Sequence, residues 1–324
     1  MLVLVAPGQG AQTPGFLTPW LDLPGATERL AEWSDAIGLD LVHYGTKADA
    51  DEIRDTAVAQ PLLVAAGLVS ARQLFGTEEE FARRVGATAG HSVGEITAAA
   101  ASGVLTPEAA MMLVRRRGQA MADAAAVTET GMSAVLGGDP DTVVAHLEKL
   151  GLTPANMNGA GQIVAAGTAG QLAALAAEKP EKARVIPLKV AGAFHTAHMA
   201  PAVDALAALV PGLTVADPRT RYVSNRDGEV VADGSEVVQR LVAQVSNPVR
   251  WDLCMQTFQK LGVSALIEVS PAGTLTGLAK RALPGVKTVA LKTPDDLEAG
   301  RALVAEFTAE AGSHAAPDAD APAE

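Results

Sequence analysis

Val85-Gly86-Ala87-Thr88-Ala89-Gly90-His91-Ser92-Val93-Gly94-Glu95 is the stretch on which the reading of this chain turns. Residues 85–89 are short and mostly apolar, as suits a strand buried in a parallel sheet. Residues 96–101 have helical composition and stop at Ser102-Gly103. Between them, Gly90-x-Ser92-x-Gly94 has the spacing of a nucleophile elbow. Glycines on both flanks let such a chain turn sharply without a Cβ clash and leave the serine hydroxyl exposed. The N–H groups and positive dipole end of the following helix favour an oxyanion forming beside it. The same residues also fit a glycine-rich turn whose serine merely caps a helix, so the surroundings must decide.

Working downstream, Thr106-Pro107-Glu108 is a helix start: Thr as N-cap, Pro at the first helical position and an acid in the first turn. The helix is expected to run to about Ala125. Ala110, Leu113, Val114 and Met121 form one apolar stripe at 100° per residue, and Arg117 falls in its middle, while Arg115 and Arg116 point away. A guanidinium facing inward needs an anion, either an internal Asp or Glu or the carboxylate of a substrate. Upstream, Leu2–Ala6 reads as a buried strand, and the apolar stretch after Gln60-Pro61 as a buried helix. Residues 132–136, 163–166 and 184–190 read as strands, with helices near 141–150 and 169–178. These two strand–helix–strand units suggest a small ferredoxin-like α+β insert. Elsewhere the alternation argues for an α/β fold with a mainly parallel sheet. Residues 313–324, rich in Ala, Pro and Asp, are expected to be a disordered tail.

A serine nucleophile needs a base, and the chain has six histidines. His195 follows the strand at 184–190, and catalytic groups of open α/β sheets gather at the carboxyl ends of strands. A satisfied loop histidine is the plainer alternative. His195 with His198 lacks the Cys or acidic third ligand of a metal site. Over the 324 residues hydrophobic types make up 48%, aromatics only 3%, and the net charge is −12. That field repels phosphate backbones, so nucleic acid is not an expected partner. Cys254 is the only cysteine, which excludes an internal disulfide and reads as a small buried hydrophobe. No stretch reads as a membrane span and none as a signal peptide, so the expectation is a cytoplasmic protein.

With these motifs in hand, the chain resembles the malonyl-CoA:acyl carrier protein transacylases and related acyltransferase domains of fatty acid and polyketide synthases. The resemblance spans about residues 1–310. It rests on Ala6-Pro7-Gly8-Gln9-Gly10-Ala11-Gln12, GHSVGE at 90–95, VRRRG at 114–118, ANMNGAGQIVAAG at 155–167, GAFHT at 192–196, QVSNPVRW at 244–251 and IEVSPAGTLTGLAKR at 267–281. Two departures, alanines at 6 and 11 and Ser270-Pro271-Ala272-Gly273 in place of a Gly-Pro-Gly loop, touch no proposed catalytic side chain.

The resemblance implies Ser92 as acylated nucleophile, His195 as its base and Arg117 as anchor of the malonyl carboxylate. It further implies the N–H groups of Gln9 and Val93 as oxyanion hole, the Gln244 carbonyl as acceptor from the histidine, and Asn158 near the site. Phe194 would select malonyl over methylmalonyl by crowding the α-carbon, a discrimination of about 1–3 kcal/mol. The implied fold is an α/β-hydrolase-like subdomain of residues 1–125 and 192–312, interrupted by a ferredoxin-like one at 126–191. Malonyl-CoA and acyl carrier protein are the implied partners, without metal or cofactor, and the expected state is a monomer. Two readings compete. An esterase or thioesterase of α/β-hydrolase type usually has its histidine late in the chain, after an acid; a non-catalytic carrier-docking module needs no Ser92, His195 and Arg117 together.

Overall fold

The computed structural model describes residues 1–307; the tail expected over 313–324 lies outside the described residues. The strands among them are β1 (Leu2–Ala6), β2 (Ala87–Gly90), β3 (Thr130–Gly137), β4 (Thr153–Gly159), β5 (Gln162–Thr168), β6 (Ala183–Pro187), β7 (Arg221–Val223), β8 (Val230–Val231), β9 (Ala265–Glu268) and β10 (Lys287–Ala290). The larger sheet runs β10-β9-β1-β2-β7-β8. It is parallel through its first five strands, and β8 turns back antiparallel on β7 at the edge. The smaller sheet, β4-β5-β3-β6, is antiparallel throughout. The expected mixed α/β fold with a mainly parallel sheet is therefore present.

β1 lies inside the large sheet and is buried along its whole length. Leu2, Leu4 and Ala6 join the core on one face, while Val3, Val5, Ala87 and Ala89 join a second core on the other. The split follows the two-residue period of a strand, and a sheet covered on both faces needs an unbroken apolar run. The small sheet has a separate core of Val135, Leu147, Ile163 and Leu175 with their neighbours.

Several elements differ from the sequence reading. β2 begins at Ala87, not Val85, because Val85 still closes the helix Glu78–Arg84 through its N–H to Phe81 O (2.9 Å). β4 is absent from that reading. Thr-Pro-Ala-Asn-Met-Asn-Gly has little apolar alternation, yet it forms an edge strand with register shifts, where proline is tolerated. With helices Pro140–Lys149 and Ala169–Ala177 it completes a strand–helix–strand–strand–helix–strand order. β6 ends at Pro187, short of the expected Val190, and lies at the edge of the small sheet.

The core helix begins not after Pro61 but at Thr56, and runs to Phe75. Asp55 caps it by accepting from Ala57 N–H (2.7 Å), which leaves Pro61 inside. Proline has no N–H for the carbonyl four residues back, here Ala57 O. Arg115 Nη1 donates to that carbonyl instead (2.9 Å). By length and composition this helix, unlike anything expected from the sequence, suffices to cross a membrane, but 89% of its apolar window is buried inside the fold. It lies against the helix Pro107–Ala125 so closely that a Cβ on Gly118 would meet Thr56 O at 2.8 Å.

Candidate active site

β2 delivers Gly90, and the helix Gly94–Ala101 carries the chain away. Ser92 sits at the bend with φ +54°, a left-handed conformation that residues with a Cβ seldom hold. The surroundings leave no other course. A Cβ on Gly90 would lie 1.9 Å from the Gly94 carbonyl carbon, and one on Gly94 would lie 2.2 Å from Ala6 O. Only glycine fits at both flanks. Ser92 N–H donates to Asn225 Oδ1 (2.8 Å), and Asn225 Nδ2 donates to Gly90 O (2.7 Å), which staples the elbow to the segment after β7.

His195 reaches this hydroxyl from elsewhere than expected. It follows a loop that leaves the edge of the small antiparallel sheet, so the strand-end rule for parallel sheets does not place it. Its own φ is +62°, and its N–H donates to Val245 O (3.0 Å). Nδ1 lies 2.9 Å from Gln244 O, an atom that only accepts, so Nδ1 carries the proton and Nε2 offers its lone pair. Nε2 stands 2.8 Å from Ser92 Oγ. Burial first, and then the Arg117 cation, holds the imidazole down at about 3, so it is neutral near pH 7.

Arg117 is 2% exposed, as its place on the apolar stripe requires. Nη1 donates to Gln60 Oε1 (2.7 Å), and Nη2 donates to Gln244 Oε1 (2.7 Å) and to Ser92 Oγ (3.3 Å). Both amide partners are neutral, so its charge is not cancelled by direct contact with a carboxylate. Burial pulls its pKa down to about 10, with Glu95 opposing, and the group stays cationic. Glu95 stands beyond Gln244, whose Nε2 donates to Glu95 Oε2. Burial raises the Glu95 carboxyl to about 7 against the hydrogen bonds that favour its charge.

The remaining candidates are distributed as follows. The loop of Gln9 touches the elbow: a Cβ on Gly8 would meet His91 O at 2.9 Å. The Gln9 side chain donates to Arg54 O (3.3 Å), and Val93 is buried at the start of the elbow helix. Asn158 Oδ1 pairs with His91 Nε2 (2.7 Å), so it lies beside the elbow and holds the histidine next to Ser92 in the chain. Phe194 is buried next to His195. Cys254 is fully buried. Sequence reasoning missed Gln60, Asn225 and Glu95. Glu95 did give a signal, since it is the one charge in the apolar run GEITAAAA.

The profile of the family described as "Acyl transferase domain" matches residues 3–295. The malonyl CoA-acyl carrier protein transacylase of Mycobacterium tuberculosis (strain H37Rv) is 52% identical over 298 residues, covering 92% of this chain and 98% of the relative. The crystal structure of MCAT from Mycobacterium tuberculosis superimposes with a TM-score of 0.90 at 51% identity, over 93% of this chain and 99% of that one. A malonyl-transacylase in complex with a type II PKS acyl-carrier protein aligns with a TM-score of 0.85 at 30% identity, over 93% of this chain and 99% of that one.

Proposed function

The chain belongs to the acyl transferase domain family, and we propose that it carries malonyl groups from malonyl-CoA to the phosphopantetheine thiol of acyl carrier protein. The transfer is ping-pong through malonyl-Ser92 and supplies extender units for fatty acid or polyketide synthesis. The observation that carries this reading is Arg117 Nη2 at 3.3 Å from Ser92 Oγ. In a malonyl group the carboxylate carbon is only two carbon–carbon bonds from the thioester carbonyl, about 2.5 Å across. A carboxylate seated on the guanidinium therefore brings the reacting carbon onto the serine oxygen.

In the first half-reaction Ser92 Oγ attacks the thioester carbon while His195 Nε2 takes its proton. The N–H groups of Gln9 and Val93 receive the developing oxyanion. Collapse expels the CoA thiolate, which leaves with the proton from His195. In the second half the carrier thiol gives its proton to His195, attacks malonyl-Ser92, and Ser92 Oγ recovers a proton as it leaves. The Gln244 carbonyl holds the imidazole in the required tautomer. Asn158 supports the elbow through His91, and the Phe194 ring crowds acyl groups branched at the α-carbon.

On this proposal no metal or redox group takes part; CoA and pantetheine enter as pieces of substrates. Residues 1–125 and 192–312, as far as the described residues reach (to 307), form an α/β-hydrolase-like subdomain and 126–191 a ferredoxin-like one, the latter supported by the strand order of the small sheet and its separate core. Ser92, His195, Arg117 and Gln244 come from one chain, so a single copy holds the whole site; the proposal places it in the cytoplasm as a monomer.

The test is intact-mass analysis after mixing with malonyl-CoA. Wild type is expected to gain one malonyl group and Ser92→Ala none. A malonyl adduct that survives in Ser92→Ala refutes the assignment of the nucleophile.

A further inference from the structure

We propose that Glu95 is the positioning residue of this site, fixing through the Gln244 amide the direction in which Arg117 offers its guanidinium to the acyl carboxylate. The proposal rests on the malonyl reading of Arg117. Its geometry is a buried chain of hydrogen bonds with one consistent direction. Tyr222 OH (2.9 Å) and Asn225 N–H (2.7 Å) both donate to Glu95 Oε1. Gln244 Nε2 donates to Glu95 Oε2, and Gln244 Oε1 accepts from Arg117 Nη2 (2.7 Å).

An amide donates at one end and accepts at the other, whereas a carboxylate only accepts. Ionised Glu95 therefore draws the Gln244 nitrogen to itself and turns the Gln244 oxygen towards Arg117. The same nitrogen donates to Ser92 O (3.1 Å), so the elbow is tied into the chain. Protonated Glu95 has a hydrogen to give. The amide then gains by turning over to accept it, which sets an NH2 against the Arg117 guanidinium, donor against donor. A buried cation deprived of an acceptor moves.

The groups around Glu95 make this exchange accessible near neutral pH. Arg117, from the helix Pro107–Ala125, favours the ionised form, as do the donors Tyr222, Asn225 and Gln244. Cys254, from the helix Trp251–Lys260, is buried and protonated, its thiol pushed up by burial and then by Glu95. Burial outweighs the favourable partners and sets the carboxyl at about 7. A cavity of about 250 Å³ is lined by Glu95, Gln244, Ser224, Arg226, Arg240 and Asn247 among others, but by none of Ser92, His195 and Arg117. Protons thus have a way to Glu95 that avoids the catalytic groups.

The experiment measures KM and kcat for transfer from malonyl-CoA, and Ser92 acylation by acetyl-CoA, from about pH 5.5 to about pH 8.5. The acetyl arm carries the same CoA phosphates, so their titration drops out of the comparison. In wild type the malonyl-CoA KM is expected to rise roughly fivefold or more below pH ~7, with acetyl transfer flat. Glu95→Gln is expected to raise that KM roughly tenfold at all pH values, abolish its pH dependence and leave acetyl transfer within about threefold. Tyr222→Phe removes a donor to Glu95 and is expected to move the malonyl midpoint to higher pH.

Equal loss of malonyl and acetyl transfer in Glu95→Gln would mark a merely structural role and overturn the proposal. So would an unchanged acid limb in that variant, or, where it fails to fold, a wild-type midpoint in Tyr222→Phe. Wild type that is malonylated with a pH-independent KM overturns the role of Glu95 alone. Wild type that gains no malonyl group at any pH overturns the malonyl reading, and this proposal with it.

Discussion

On the proposed reading, Arg117 acts on both the substrate and the base. Its charge attracts a carboxylate, and the same charge, after burial, depresses the basicity of His195. A bound malonyl carboxylate cancels that charge and returns basicity to the imidazole, so the acyl group that fits the pocket also readies the base. An uncharged acetyl group leaves the cation uncompensated beside His195. In Arg117→Ala, kcat/KM for malonyl-CoA is therefore expected to fall roughly 10- to 150-fold, the worth of a charged hydrogen-bonded pair at ~1.5–3 kcal/mol. For acetyl-CoA it is expected to rise. Steady-state rates with the two donors decide the matter: equal losses would remove the anchor role.

At the scale of elements, local chemistry made some pieces legible and not others. The helix Pro107–Ala125 was readable to its last residue, because Thr106 accepts from Ala109 N–H (3.1 Å) as an N-cap should and Pro107 stands at the first helical position. The elbow was readable because its two glycines are forced by backbone contacts that any such turn must make. β4 was not, since Asn156 and Met157 are held by pairing with Val164 and Ile163 and by the bridge to Val249, contacts no local pattern encodes. In the site, Ser92 and Arg117 announce themselves by spacing. Gln60, Asn225 and the Glu95–Gln244 link depend on partners 57 to 149 residues away.

The Ser270–Gly273 loop belongs with the unreadable pieces. Glu268, fully buried at the end of β9, accepts from the N–H groups of Gly273 (2.9 Å), Leu275 (3.0 Å) and Thr276 (2.8 Å), and so holds the start of the helix Thr274–Ala282. Glu268→Gln turns one of those contacts into donor against donor and removes the charge at a helix N-terminus. Its expected cost is about 1.5–3 kcal/mol. Urea unfolding checks this, with an unchanged slope and a lower midpoint; kcat/KM should stay within about twofold.

For the molecule as a whole, opposite shifts within one site pull the acid response of stability in two directions. His195, held at about 3 from an ordinary 6.5, binds a proton less readily folded than unfolded, and His91 is lowered by burial in the same sense. The stability these groups leave intact above pH 6.5 is lost as pH falls below it. Glu95, raised to about 7 from 4.5, binds a proton more readily when folded, so its contribution is lost as pH rises and grows as pH falls from 7 to 4.5. Between 4.5 and 6.5 the carboxyl thus offsets one histidine. Glu95→Gln has no proton to take up, and its loss of stability on acidification over that window is expected to be steeper than wild type by about 1.4 kcal/mol per pH unit. The titration of the chain's other acids and bases is common to both proteins and cancels in the difference. Urea midpoints measured at intervals across the window test this. Parallel pH curves for the two proteins would mean that Glu95 ionises in the fold as it does in the open chain.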